Sequence, residues 1–117
     1  MKFDIWYMKA HFFRDGSMGM KWLRERGPMP VRGNLIGTHT FLKQVEADDL
    51  AQVFAMMQGE NWSPNGEAKP LLVEKDLYHT SMSVGDIAMD VVTGQAFLVD
   101  RFGFVDISAP ASEAEDD

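Results

Sequence analysis

The alternation of apolar and polar positions predicts strands in both halves of the chain. Apolar side chains alternate in KFDIWYMKA (2–10), which is typical of a strand buried on at least one face. LIGTHTFLKQVEA, near 35–46, is rich in β-branched and aromatic residues and predicts a second strand. DIAMDVV and QAFLVDRF flank Thr93-Gly94 and predict a hairpin with a two-residue turn. GFVDI either extends this sheet or pairs elsewhere, and LLVEKDL (71–77) predicts a short edge strand.

A helical spacing of apolar residues follows the second strand and predicts the principal helix, at about 48–58. The apolar stripe comprises Leu50, Val53, Phe54 and Met57. Their i, i+3, i+4, i+7 spacing places them on one face, and Asp48 and Asp49 complement the positive end of the helix dipole. Gly59 predicts the end of this helix. A short second helix fits 18–26, before Gly27-Pro28, inside a segment that otherwise predicts irregular loop.

These elements predict an α+β fold, with a small, mainly antiparallel sheet of four or five strands packed on one principal helix. The order of strands and helices shows no internal repeat and no linker, so residues 1–107 are predicted to form a single domain. The ending SAPASEAEDD is small, polar and acidic, which predicts a disordered tail over 108–117.

Composition and charge restrict the location and the partners. The chain has no cysteine, no apolar run long enough to span a membrane and no signal-peptide pattern, which predicts a soluble protein of the cytoplasm. The net charge of −7 makes general nucleic-acid binding an unfavoured function. The charge is unevenly distributed, because residues 1–45 hold eight basic and three acidic residues, whereas 46–117 hold three basic and fifteen acidic ones. A local basic surface is therefore expected in the first half.

The stretch LYHTSMSVGDI (77–87) concentrates the residue types of a hydrolytic site. The cluster comprises His79, Ser81, Ser83, Gly85 and Asp86. These types could supply a nucleophile, a base and an orienting acid, but working triads are assembled from separate segments. No strand-to-helix elbow of the G-x-S-x-G kind surrounds either serine. The favoured interpretation is a structural turn, in which Asp86 or Ser83 binds neighbouring amides, with a ligand loop as the alternative.

Metal and cofactor motifs do not emerge from the sequence. His11, His39 and His79 lack the i, i+4 spacing on a predicted helix that an H-E-x-x-H zinc site would have. GPMPVRG has neither a Walker pattern nor a dinucleotide-binding pattern. The prediction is therefore no metal and no cofactor.

The glycine- and proline-rich segment 14–33 is the favoured candidate for binding a partner protein. Its candidate residues are Arg14, Met18, Met20, Trp22, Arg24, Arg26 and Arg32. Tryptophan and arginine are enriched in the hot spots of protein interfaces, and methionine adapts readily to different partners. A merely structural loop is the alternative.

The second half of the chain carries a recognisable motif series. LAQVFAMMQGENW, then TSMSVGDI, then VDRFGFVDI resemble a pattern L-x-x-V-F…W…S-[TM]-S-V-G-D…G-F. That pattern is found in small uncharacterised proteins of bacteriophages and other mobile elements, including YodL-like domains. The match departs at Thr80, where many relatives have arginine, and at Gln58, where they have asparagine. The resemblance implies a phage or mobile-element origin without an established activity, and implies that the SVGD segment belongs to the fold.

Three functions follow as alternatives. The first is a binding protein that acts by protein–protein interaction on a bacterial host factor, for example as an inhibitor of host defence. The second is a module that binds a small ligand or nucleic acid, and the third, less favoured, is a small hydrolase. The sequence thus predicts a protein that is not an enzyme. An exposed edge strand would also allow a homodimer.

Overall fold

An antiparallel sheet of five strands forms the centre of the described part of the chain. The computed structural model describes residues 1–26, 29–30, 32–58, 62, 68–75, 77, 79 and 81–107. The strands are β1 (Lys2–Met8), β2 (His39–Glu46), β3 (Ile87–Asp90), β4 (Ala96–Asp100) and β5 (Gly103–Asp106). Their spatial order is β2-β1-β3-β4-β5. The predicted α+β class and the mainly antiparallel sheet are confirmed. The predicted acidic tail lies outside the described residues.

Strand β1 lies between β2 and β3, and both of its faces are covered. Phe3, Ile5 and Tyr7 belong to one buried cluster. Met8 belongs to a second buried cluster, against which Trp6 packs. Because successive side chains of a strand point to opposite faces, the two clusters lie on opposite sides of the sheet. This explains why the second half of the strand also carries apolar residues, Trp6 and Met8, on its other face.

Short helices cover both faces of the sheet. Within the described ranges they are α1 (Ala10–Gly16), α2 (Met20–Glu25), α3 (Leu50–Met56), α4 (Ala68–Glu74) and a 3-10 segment (Arg32–Gly37) kinked at Asn34. The first cluster receives Val53 from α3 and Ala68 from α4, whereas the second receives Phe12 from α1 and Leu23 from α2. The helix predicted at about 48–58 is present as α3, but it shares the sheet with three other helices. A sheet that is apolar on both faces needs cover on both. None of the helices in the described ranges is long and apolar enough to cross a membrane.

Several segments differ from the sequence-based prediction. The second strand, predicted near 35–46, begins only at His39, because the 3-10 segment precedes it. LLVEKDL was predicted as an edge strand, which is wrong, because α4 continues through Glu74. Pro70 lies in the first turn of that helix, where proline is tolerated, and Leu71 and Leu72 pack against the first cluster. The residues of α1 were not predicted to be helical.

Helix α3 confirms its predicted N-terminus. The side chain of Asp49 accepts a hydrogen bond from the Gln52 amide at 2.8 Å, as an N-cap does. Val53 and Met57 are buried, whereas Phe54 is 37 % exposed and so lies at the edge of the predicted apolar face. The predicted stop residues of the two helices, Gly59 and Gly27-Pro28, lie outside the described residues.

The C-terminal hairpin is present with a longer connection than predicted. Strands β3 and β4 pair with Ile87 opposite Leu98, and residues 91–95 join them in place of a two-residue turn. The Asp90 side chain accepts hydrogen bonds from the amides of Val92 at 2.9 Å and Thr93 at 3.2 Å. These bonds stabilise the wider turn. Strand β5 pairs with β4 and extends the sheet.

Candidate functional site

The turn before β3 is fixed to β1 by the carboxylate of Asp86. This side chain is fully buried. Its Oδ1 accepts a hydrogen bond from the Met8 amide at 2.9 Å, and its Oδ2 accepts one from the Ser83 amide at 2.8 Å. Burial raises the pKa of Asp86 above its ordinary value, while its bonds with His79 and with the two amides act in the opposite direction. The predicted bond between Asp86 and a neighbouring amide is confirmed.

Gly85 gives this turn its backbone shape. Its φ of +101° lies in the left-handed region that side chains disfavour. A Cβ placed on Gly85 would lie 2.7 Å from both the carbonyl carbon and the carbonyl oxygen of Gly16, and closer still to Met8 Sδ. The turn therefore packs directly on the C-terminal end of α1.

His79 forms a pair with Asp86 and is enclosed by aromatic rings. Its Nε2 lies 2.8 Å from Asp86 Oδ2, and its side chain is 13 % exposed. The imidazole stacks on Tyr7, with 4.6 Å between the ring centroids, and Phe13 contacts it edge-on at 5.3 Å. Burial and the nearby Asp86 raise the pKa of Tyr7, while a hydrogen bond with Trp62 acts in the opposite direction. These contacts hold the His79 ring in one orientation.

The proton on His79 can be placed from its partners. The carboxylate of Asp86 accepts hydrogen bonds from the amides of Met8 and Ser83. A carboxylate has only acceptor atoms, so in the third bond His79 Nε2 is the donor and carries the proton. The other nitrogen, Nδ1, is buried and has no hydrogen-bond partner among the described residues. In the neutral imidazole with its proton on Nε2, this Nδ1 is an acceptor.

In the described part of the chain, Ser83 is not placed as a nucleophile for this pair. The Ser83 hydroxyl donates to the Ser81 carbonyl oxygen at 2.9 Å, so it points to the backbone of its own loop. The same ranges contain no group of three or more acidic or histidine side chains that could hold a metal ion. Ser83 is thus engaged by its own loop, through its hydroxyl and through its amide bond to Asp86.

A second histidine, His39, contacts the same turn from β2. It is fully buried, and its Nε2 donates to the Gly85 carbonyl oxygen at 2.7 Å. Its Nδ1 accepts from the Thr38 hydroxyl at 2.7 Å. Burial, opposed by the Gly85 bond and aided by the nearby His79, lowers the pKa of His39 to about 4. His39 is therefore a neutral structural residue at neutral pH.

The depressed pKa of His39 predicts a loss of stability in mild acid. The unfolded chain binds a proton at this residue near its ordinary pKa of 6.5, whereas the folded chain binds it only near pH 4. Between these values the unfolded state holds more protons, so the free energy of unfolding falls as the pH falls. We expect about 3 kcal/mol to be lost through His39 between about pH 7 and pH 4.

Urea unfolding of the wild-type protein and of His39→Gln across this pH range measures the effect. The other titrating groups are common to both proteins. The free energy of unfolding should therefore fall more steeply with decreasing pH in the wild type than in His39→Gln. Parallel pH profiles would show that His39 titrates normally in the folded chain.

Two cavities accompany these elements. The larger, of about 410 Å³, is lined by Met8, Ala10, Phe13 and His79. The smaller, of about 280 Å³, is lined by Lys43, Val45, Gln52, Ala55, Met56, Met57 and Trp62. Lys43 Nζ lies 4.9 Å from the centroid of the Trp62 ring, so the charged side chain already covers an aromatic wall of the smaller cavity. The larger cavity is the one next to the His79–Asp86 pair.

The residues predicted to bind a partner divide into exposed and buried sets. Arg14, Met18, Arg24 and Arg26 are exposed on α1, α2 and their flanks. Met20 is only 3 % exposed and belongs to the second buried cluster, so in the free chain it is a core residue. The side chain of Arg32 lies outside the described part of the structure.

Trp22 is half-buried and links the two helices. Its Nε1 donates to Asp15 Oδ1 at 3.1 Å, and the Arg26 guanidinium lies 5.6 Å from its ring centroid. Trp22 therefore positions α1 against α2. The sequence predicted it only as a residue that contacts a partner protein.

The structure also adds residues that the sequence-based choice missed. Arg101 Nη2 donates to the Met18 carbonyl oxygen at 3.5 Å, and Asp100 Oδ1 accepts from the Met20 amide at 3.2 Å. The β4–β5 turn thus lies beside the connection between α1 and α2, and its Phe102 is fully exposed. The sequence signal for Phe102 is weak: a phenylalanine stands next to a glycine in a tight turn, where an apolar side chain is unusual.

No family model matches the sequence, and comparisons with curated proteins and with solved structures find no match either. The resemblance to YodL-like and other mobile-element proteins stays a prediction carried by its motif residues.

Proposed function

We propose that this chain is a small binding protein, not an enzyme, that engages an acidic surface of a host protein in the bacterial cytoplasm. The exposed side chains of α1 and α2 and their connection would form the contact, named here the α1–α2 surface. It comprises Arg14, Met18, Lys21, Arg24 and Arg26. Inhibition of a host defence factor is one form this function would take for a protein of phage or mobile-element origin.

The observation that carries the proposal is the exposure of these cations together with Met18. Met18 is 43 % exposed and lies between the two helices, although methionine gains from burial. Lys21 and Arg24 are three residues apart on α2, so they project from one side of it. Asp15, an acid of the same segment, is bonded to Trp22. An acidic partner with an apolar contact point fits this arrangement, since charge complementarity guides both recognition and rate of association.

The β4–β5 turn extends the same proposal. Arg101 is exposed and bonded to the Met18 carbonyl, which adds a further cation beside Met18. Phe102 is a fully exposed aromatic side chain next to it in sequence. Arginine and aromatic residues carry much of the binding energy in protein interfaces. The turn would therefore supply an anchor beside the helices.

Reversal of two cations on α2 is expected to weaken binding. Lys21→Glu/Arg24→Glu should raise the Kd for the partner by at least about tenfold, because two attractive charge contacts become repulsive. The measurement begins with cross-linking in bacterial lysate and identification of the captured protein by mass spectrometry. The purified partner is then titrated calorimetrically with wild type and variant at two salt concentrations.

The control is Lys2→Glu/Lys69→Glu. Both lysines are exposed and lie outside α1 and α2, and this variant has the same net charge as the first. It should bind like the wild type. Equal weakening of binding by both variants would show that the overall charge, and not the α1–α2 surface, causes the effect. Unchanged binding of Lys21→Glu/Arg24→Glu would contradict the proposed surface.

A further inference from the structure

The turn between β3 and β4 presents two valines to solvent. Val92 is 88 % exposed, and Val91 is also exposed. Turns usually carry glycine, proline, asparagine, aspartate or serine, so two adjacent β-branched apolar residues are unusual here. The Val91 amide donates to the Lys2 carbonyl oxygen at 3.0 Å, and the Asp90 carboxylate accepts from the Val92 amide at 2.9 Å. These bonds already fix the turn that carries the valines in the single chain.

A methionine and several acids lie around these valines at the same end of the sheet. The Met1 carbonyl oxygen accepts a hydrogen bond from the Ala47 amide at 2.8 Å, which places Met1 beside the end of β2. On the other side of the turn, Gln95 Nε2 donates to Asp106 Oδ2 at 3.4 Å. We name this end of the sheet the valine surface. Its exposed members are Met1, Glu46, Asp48, Val91, Val92 and Asp106.

Strand β4 separates the valine surface from the basic α1–α2 surface. It begins at Ala96, beside the turn with the valines, and ends at Asp100, which accepts a hydrogen bond from the Met20 amide at 3.2 Å. At about 3.4 Å per residue, such a strand extends for roughly 14 Å. Acids outnumber the exposed Lys2 at the valine surface, whereas cations, including Arg101, predominate at the α1–α2 surface. The two surfaces are therefore opposite in charge.

We propose that copies of this chain associate head to tail, with the valine surface of one copy on the α1–α2 surface of the next. Val92 would contact Met18 and Phe102, which are exposed apolar side chains at the other end of β4. Acids such as Glu46 would face cations such as Lys21, and this charge complementarity sets the orientation of the two copies. Because each copy in a pair keeps one surface uncovered, the contact is heterologous and leads to larger assemblies or a closed ring.

Head-to-tail association would also regulate the proposed function. This part of the inference rests on the proposed function, because the α1–α2 surface would be the contact for both the host protein and the next copy. The two contacts would therefore compete, and binding of the host protein would release single copies from the assembly. The association itself needs only the purified chain.

Sedimentation velocity of the purified protein over a range of concentrations tests the proposal. At low salt the average mass should rise with protein concentration, and high salt should weaken the association because it screens the charges. Val92→Ser should raise the Kd of self-association about tenfold, since a buried valine contributes about 1.5 kcal/mol or more. Val73→Ser is the matched control. Val73 is 74 % exposed on α4, outside both surfaces, so this variant should associate like the wild type.

A mixture of two variants tests the head-to-tail geometry. Lys21→Glu/Arg24→Glu retains its valine surface, and Val92→Ser retains its α1–α2 surface. At a concentration where each variant alone is monomeric, the mixture should form a one-to-one dimer that does not extend further. Val92→Ser should still bind the host protein, so a failure of self-association is distinguishable from a failure of the proposed function.

Three results would each overturn the inference. The first is a wild-type mass that stays at that of the monomer at low salt and high protein concentration. The second is equal self-association of Val92→Ser and Val73→Ser. The third is a mixture of Lys21→Glu/Arg24→Glu and Val92→Ser that stays monomeric.

Discussion

Gly85→Ala is expected to lower the free energy of unfolding by about 3 kcal/mol or more. The residue has a φ of +101°, which costs roughly 1 to 3 kcal/mol for a residue with a side chain. The new methyl group would also lie 2.7 Å from backbone atoms of Gly16. A backbone carbonyl at the end of a packed helix cannot move aside as a flexible side chain does, and overpacking typically adds about 1 to 3 kcal/mol.

Gly94→Ala separates the two contributions. Gly94 also has a positive φ, of +75°, but nothing lies within 4 Å of a Cβ placed there. Its replacement should therefore cost only the conformational part, about 1 to 2 kcal/mol. Urea unfolding of the two variants measures the difference. Equal losses would show that α1 shifts at little cost and that the contact with Gly16 is not restrictive.

Asp86→Ala is expected to be comparably damaging, with a loss of about 3 to 5 kcal/mol in the free energy of unfolding. The substitution leaves the amides of Met8 and Ser83 without their acceptor, and it removes the partner of His79 Nε2. All these groups lie at a fully buried carboxylate, where water would have to enter to replace it.

Asp86→Asn is the conservative comparison for this site. It keeps the side-chain volume and one acceptor oxygen, so its loss should be smaller than that of Asp86→Ala. Chemical unfolding gives both values, and the ring nitrogen resonances of His79 should change in both variants. A loss below about 1 kcal/mol for Asp86→Ala would mean that solvent satisfies the exposed donors without strain.

The fold class could be predicted because period-two alternation and a capped helix are local signals. Asp49 caps α3, and β3 and β4 pair as the hairpin pattern indicated. Helix α1 could not be predicted, because AHFFRDG carries its apolar residues as an adjacent pair without a helical repeat. The helix buries Phe12 in the second cluster, and this tertiary contact is not visible in the local sequence.

The candidate site could be predicted only in its local part. His79 and Asp86 lie in one short segment, and the Gly-Asp pair predicted the turn. The rings that enclose His79, Tyr7 and Phe13, come from the other end of the chain, and no spacing rule relates them to it. Trp22 was predicted as a partner-binding residue because tryptophan is enriched in the hot spots of interfaces. Its bond to Asp15 could not be predicted, because that bond depends on how α1 packs on α2.

The central position of β1 couples the two ends of the sequence during folding. Phe3 pairs with Val45 on one side and with Asp90 on the other, so the second pairing closes a loop that contains most of the chain. Contacts between such distant residues slow folding, because the entropy of loop closure must be spent before the contact forms. During synthesis, the apolar strand β1 would have β2 as its neighbour long before β3 exists. The edge later occupied by β3 is therefore exposed to mispairing in the nascent chain.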